Sequence, residues 1–280
     1  MNQSITLSAG QQVLVLEPTL GGRAVSWKVD GVELLASKSD HPVEHGMYPM
    51  GPWAGRINAN SLKFQHSEYE LPPTYEQWAL HGTTYFKQWQ VVEKAEEACI
   101  LSCELGDPWP WPGSIEVSWH LLDDQLITTV QVRSESVGFP AVTGLHPWFA
   151  TKNQFGRARW ELPECRLAER DDSFELSGRL IDKPESSGMF DDAFYVPSQT
   201  AVIHWGDALV LEVHQSHEWF VVYDKESDFI CVEPQTAPPN GVNDALIGSV
   251  WVVTPERPLI QEVTWRIFRG LPGNRDELSD

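Results

Sequence analysis

The chain has 280 residues, 41% of them hydrophobic and 21% charged, enough for one large domain or two ordinary ones and too apolar for a disordered polymer. Twenty Lys plus Arg against forty Asp plus Glu leave a net charge of −20, which disfavours nucleic acid and anionic membrane as partners. No apolar run approaches the roughly 18 to 20 residues that cross a bilayer. The opening MNQSITLSAGQQ has neither the basic start nor the apolar stretch of a secretory signal, so the expected location is cytoplasmic.

From the N-terminus, Gln12 to Leu16 and Ala24 to Val29 read as strands, the second closing on the turn pair Asp30-Gly31. His41-Pro-Val-Glu44-His45 matches the H-x-x-E-H zinc pattern in letters only. That chemistry needs a long helix presenting both histidines on one face, and Pro42 and Gly46 bracket too short a segment. Further strands are expected at Ile115 to Leu122, at Leu126 to Arg133 after the turn residues Asp123-Asp124, and at Leu209 to Val213, Phe220 to Tyr223 and Leu259 to Phe268. His214 and His217 straddle an expected hairpin turn with no third ligand nearby.

No window of about a dozen residues holds a 3.6-residue stripe, so helices reduce to single turns, one expected around Asn243 to Ile247. The fold class is all-β. Strand signals run the whole length without repeat or linker, which predicts one domain over residues 1–270, built as a large antiparallel β-sandwich, and a disordered tail over 271–280. Cys99 and Cys103, about 13 Å apart on a regular strand, cannot bridge. With Cys165 and Cys231 they read as free, mostly buried thiols. No GxSxG, Walker or GxGxxG pattern calls for a Ser nucleophile or a nucleotide, and no metal or other cofactor is expected.

Five Pro- or Gly-flanked segments between strands carry the side chains of interest: Gly51-Pro-Trp53-Ala-Gly-Arg56-Ile57, Leu80-His81-Gly82, Gly144-Leu-His146-Pro-Trp148-Phe149, Asp191-Asp192-Ala-Phe194 and Val232-Glu233-Pro-Gln235. Singly, each has an ordinary reading: a satisfied strand-end His, a surface ion pair, an Asx turn. In this order and spacing they resemble the aldose 1-epimerase (galactose mutarotase) family. The resemblance implies a supersandwich fold with a sugar site on its concave face, Glu233 as general base, His146 as general acid, and Arg56, His81 and Asp191 holding sugar hydroxyls, with Gln235 as a further binding group. Gly55 stands where the family commonly places Asn, Thr83-Thr84-Tyr85 follows Leu80-His81-Gly82, and Pro238-Pro239-Asn240 occupies a stretch where Asp is more usual.

The implied activity interconverts the α and β anomers of a free aldose, which requires taking the proton from the anomeric hydroxyl while protonating the ring oxygen. One carboxylate and one imidazole suffice. Beside Glu233, His146 is expected to titrate above its ordinary value. Thirteen tryptophans add flat apolar platforms for a pyranose. Trp53 and Trp148 lie inside the motifs and are expected to bind sugar, Trp78 lies close to His81, and Trp27, Trp119, Trp160 and Trp265 read as core. For Trp109 and Trp111, a rim contact and edge packing both stay open.

The competing readings are a hexose-6-phosphate 1-epimerase, for which Arg56 and Lys87 are the basic residues near the motifs, a non-catalytic carbohydrate-binding sandwich, and a glycosidase pairing Glu233 with Asp191 or Asp192. The expected partner is a small sugar, and the expected state is a monomer or homodimer.

Overall fold

The computed structural model describes residues 4–36, 41–184, 189–243 and 250–270; the expected turn beyond Asn243 and the expected disordered tail lie outside them. Two large antiparallel sheets, of eleven and nine strands, account for most of the chain. The first runs in the order Ile5–Ala9, Gln12–Glu17, Arg23–Val29, Met47–Met50, Gly144–Ala150, Phe229–Gln235, Trp219–Tyr223, Asp191–Tyr195, Arg166–Arg170, Leu176–Asp182, with Val32–Glu33 paired to Arg23–Val29. The second includes Thr200–Trp205, Leu209–Gln215, Leu259–Arg269, Gln125–Ser134, Gly113–Leu121 and Ala98–Glu104 as neighbours in that order.

Each strand read from the sequence is present, and most follow the two-residue period; Arg23–Val29, which pairs across a register shift, and Trp219–Tyr223, buried almost throughout, do not. In Gly113–Leu121, Ile115, Val117, Trp119 and Leu121 are buried while Ser114, Glu116 and Ser118 are less so. Asp30 and Gly31 both take positive φ, 50° and 78°, as a two-residue hairpin turn of matching twist requires. The sheets pack through aromatic side chains: Trp27 of the first meets Trp265 of the second edge-on with centroids 6.3 Å apart, and Phe149 meets Trp205 and Trp265 at 5.7 and 6.1 Å. Three of the indole N–H groups buried in this layer find partners, Trp27 donating to Gln12 Oε1, Trp205 to the Ala150 carbonyl and Trp265 to Thr128 Oγ1, whereas that of Trp119 has none among the described residues.

Among the described residues helices are limited to the single 3₁₀ turns Pro42–Glu44 and Asn58–Asn60, so His41 and His45 do not share a helical face. His214 and His217 do not flank a hairpin. Leu209–Gln215 belongs to the nine-stranded sheet and Trp219–Tyr223 to the eleven-stranded one, so the chain changes sheets between them. The buried Gln215 amide ties this crossing together, bonding to the Trp219 carbonyl and accepting from Gln261. Trp109 and Trp111 resolve as packing: Trp109 stacks on Trp53 at 5.6 Å, and Trp111 stacks on Phe139 at 5.9 Å. No helix among the described residues is long and apolar enough to cross a membrane.

Candidate active site

The Gly144–Ala150 strand is buried on both faces. Phe149 faces the second sheet, so the alternation sends His146 and Trp148 to the other face, where both line a cavity of about 600 Å³. Gly144 pairs with Gln235 and Trp148 with Cys231, a register that sets His146 across from Glu233. On its other side His146 pairs with Tyr48, while Glu233 pairs with Val221 and Val221 with Ala193. The sheet beneath the cavity therefore carries a row of cross-strand neighbours, Tyr48, His146, Glu233, Val221 and Ala193, beside a second row of Trp148, Cys231, Tyr223 and Asp191; all of these line the cavity except Tyr48 and Cys231, which are buried behind it. Backbone hydrogen bonds fix these spacings before any side chain is chosen.

In the centre, His146 Nε2 lies 3.3 Å from Glu233 Oε1, and Gln235 donates to the other carboxyl oxygen at 3.0 Å. His146 is held between two rings, stacked on Tyr48 at 5.0 Å and on Trp148 at 5.1 Å. Behind Tyr48 sits Arg23, fully buried and donating to the carbonyls of Leu20, Pro42, His45 and Tyr85. Burial lowers its pKa to about 10, which leaves it cationic at neutral pH. Nothing in the Gly-Gly-Arg context marks Arg23 as part of a site; its role comes from the burial that the sheet imposes.

The electrostatics reverse one expectation. Burial, reinforced by the Arg23 and Arg56 charges, lowers the His146 pKa to about 3 rather than raising it. Burial also pushes Glu233 well above the ordinary carboxylate range, against the Gln235 hydrogen bond. The cost of desolvating both charged forms outweighs their mutual attraction, so the pair behaves as one unit that shares a single proton.

The remaining residues named from the sequence converge on the same cavity, with one exception. Arg56 pairs with Asp191 at 3.0 Å, and Lys225 reaches the same carboxylate at 3.8 Å. His81 lies beside His146, ring centroids 4.8 Å apart and perpendicular, and its Nδ1 accepts from the Gly55 N–H at 3.2 Å. Burial holds His81 well below its usual pKa, so it is neutral and carries its proton on Nε2. The exception is Trp53: it is buried, donates to the Ala79 carbonyl and packs on Trp109, outside the cavity lining. It supports the Arg56 loop from behind.

Gly55 has φ 71°, a region open to Gly and, next best, Asn, and an added Cβ would lie 2.8 Å from Pro239. That is why Gly can stand where the family commonly has Asn. Lys87 turns away to the Leu105 carbonyl.

The sequence reading missed the roof. Phe174, at the tip of the turn joining Arg166–Arg170 to Leu176–Asp182, lines the cavity with φ 66°. Arg56 and Arg170 lie over its ring at 4.1 and 4.4 Å, and Trp78 meets it edge-on at 6.2 Å. Arg170 in turn pairs with Asp192 at 2.6 Å. No local pattern announces these residues, because they come from the far end of the sheet.

A description of the family "Aldose 1-epimerase" matches residues 3–251 of this chain. The chain belongs to the aldose 1-epimerase family. Two relatives from Escherichia coli strain K12 are similar along most of their length: YphB, 23% identical over 94% of this chain and 98% of its own, and YihR, 22% identical over 87% of each. The fold is shared with a galactose mutarotase-like protein of Clostridium acetobutylicum, at a TM-score of 0.84, 16% identity and 95% coverage of both chains. It is shared as well with the GalM/aldose epimerase homologue of C. elegans, at 0.81 and 17%, covering 96% of this chain and 99% of that one. The structural likenesses show the large antiparallel supersandwich fold, and the family match supports a sugar epimerase role in general terms.

Proposed function

We propose that this aldose epimerase interconverts the α and β anomers of a free, uncharged aldose by acid/base ring opening and reclosure. The observation that carries the reading is the buried His146–Glu233 pair, 3.3 Å apart on the floor of a cavity whose walls present Arg56, His81 and Asp191. With carboxylate Glu233 and imidazolium His146, Glu233 takes the anomeric hydroxyl proton while His146 protonates the ring oxygen, and the ring opens to the aldehyde. The pair then stands as neutral acid and neutral imidazole. After rotation about C1–C2, reclosure on the other face of the carbonyl runs the same two transfers backward, Glu233 giving and His146 taking.

One turnover thus passes through both placements of a single proton, and the burial that favours the neutral placement stabilises the pair at the open-chain stage. Each transfer contributes about 10²–10⁴-fold. Gln235 keeps one Glu233 oxygen occupied so that the other is directed at the substrate, and Arg56, His81 and Asp191 set its orientation.

An uncharged sugar is favoured because the lining holds Glu44, Glu76, Asp191, Asp192, Glu226 and Glu233 against only Arg56, Arg170 and Lys225. The three cations gathered near Phe174 support a sugar phosphate as the second reading. Anomeric exchange followed by NMR over a panel of aldoses and their 6-phosphates tests both. Exchange above the spontaneous rate with neutral sugars supports the first, exchange confined to the phosphates supports the second, and binding without exchange removes the enzyme.

A further inference from the structure

Cys231 has no part in the proton transfers, yet it lies two residues before Glu233 on the same strand and so on the same face. One ligand atom each from His146, Cys231 and Glu233 lie within 4.8 Å of one another, and all three residues are buried. We propose that these three side chains form a binding site for a thiophilic divalent cation such as Zn²⁺, and that the ion excludes the sugar from the acid/base pair.

The donor set is one imidazole nitrogen, one thiolate and one carboxylate, the mixture Zn²⁺ accepts and hard cations such as Mg²⁺ and Ca²⁺ do not. Bonds of about 2.0–2.3 Å to such ligands place neighbouring donor atoms about 3.3–3.6 Å apart around a tetrahedral ion. The His146–Glu233 distance of 3.3 Å already meets this, so closing the site needs only a modest inward movement of the Cys231 side chain. His146 is pinned between Tyr48 and Trp148, and Gln235 holds the outer Glu233 oxygen, so two ligands are oriented in advance.

Three protein ligands leave the fourth position facing the cavity. Binding is an exchange: Zn²⁺ enters as the thiol proton and the proton shared by His146 and Glu233 leave, with no change of oxidation state and no change in local charge. The ion occupies the lone pairs that the sugar's hydroxyl and ring oxygen would engage, so metal and substrate compete. The other three cysteines are elsewhere, Cys99 and Cys103 on the Ala98–Glu104 strand and Cys165 before Arg166–Arg170, so a thiolate–metal signal from the site is assignable to Cys231.

The competition rests on the acid/base reading above, whereas metal binding does not, and the two are measured separately. Titrating the full-length protein with Cd²⁺ as a spectroscopic stand-in should develop an ultraviolet thiolate-to-metal absorption, lost in Cys231→Ala and in Cys231→Ser and weakened in His146→Gln. Zn²⁺ should slow anomer exchange by raising the apparent KM, be reversed by a chelator, and require at least about tenfold more metal in either Cys231 variant, each variant being referred to its own metal-free rate. An absorption that persists in both variants, or Zn²⁺ inhibition equal in wild type and variants, overturns the site. The Cys231-dependent absorption without any catalysed exchange would leave the site standing and remove the acid/base reading instead.

Discussion

If His146 is buried as a neutral imidazole, acid should destabilise the fold through it, and the size follows from its pKa. The folded-state pKa of about 3 lies below the ordinary 6.5. Between these values the unfolded chain binds a proton that the folded one refuses, so the His146 contribution is intact above about pH 6.5 and is lost as pH falls toward 3. From about pH 7 to about pH 5 the loss amounts to about 2 kcal/mol, a large share of a typical stability of about 5–15 kcal/mol.

The assay is urea unfolding at both pH values for wild type and His146→Gln, which fills a similar space and does not titrate in this range. Wild type should lose about 2 kcal/mol more than the variant over that interval. His81, also buried and neutral, is present in both proteins and cancels. Glu233 acts with the opposite sign, since a raised carboxyl pKa contributes stability at low pH and loses it as pH rises. Repeating the comparison in a Glu233→Gln background therefore isolates the imidazole. Equal pH dependence with and without His146 in both backgrounds would refute the buried neutral histidine, and a difference of the opposite sign would indicate a charged pair instead.

Three further outcomes follow from the site. Glu233→Gln, which keeps the shape and the Gln235 contact, should lower turnover of anomer exchange by at least about 10²-fold while the sugar still binds, measured by NMR exchange and by titration. Arg56→Ala should raise KM more than it lowers kcat, because a guanidinium positions oxygens without moving a proton; unchanged affinity would take Arg56 out of the site. The kcat/KM profile should have its acid limb set by the His146 imidazole near 3 and its alkaline limb by Glu233, raised above the ordinary carboxylate range, so an acid limb near 6.5 would contradict the assignment.

How far the sequence could be read depended on whether the deciding interaction was local. Strand alternation in Ile115 to Leu122 and the turn at Asp30-Gly31 are set by nearest neighbours, so they were legible and the sheets appear where expected. Glu233, His146, Arg56, His81 and Asp191 were legible as candidates because each sits in a segment of distinctive pattern, and all five line one cavity. Trp53 was not, since its neighbour Arg56 faces the cavity while the indole packs behind on Trp109. Arg23, Phe174 and Arg170 were invisible for the same reason: their meaning lies in partners distant along the chain, such as Tyr48 for Arg23 and Arg56 for Phe174. The direction of the His146 shift was misjudged from the sequence because proximity to Glu233 is readable there and desolvation is not.

The two halves of this site answer to different constraints, and that bears on how such a chain can diverge. His146 and Glu233, the proposed acid and base, hang from directly paired strands, so their separation is inherited from the backbone ladder and tolerates change almost anywhere else. The groups on the far side of the cavity, Phe174 with Arg170 and Tyr75 with Glu44, come from strand ends, turns and loops whose lengths and residues can be exchanged without disturbing that ladder. A lineage on this scaffold can trade one sugar for another by rewriting its rim while the proton-moving pair stays at its original spacing. A TM-score of 0.84 at 16% identity shows how far the residues of this fold can drift while its strands keep their places.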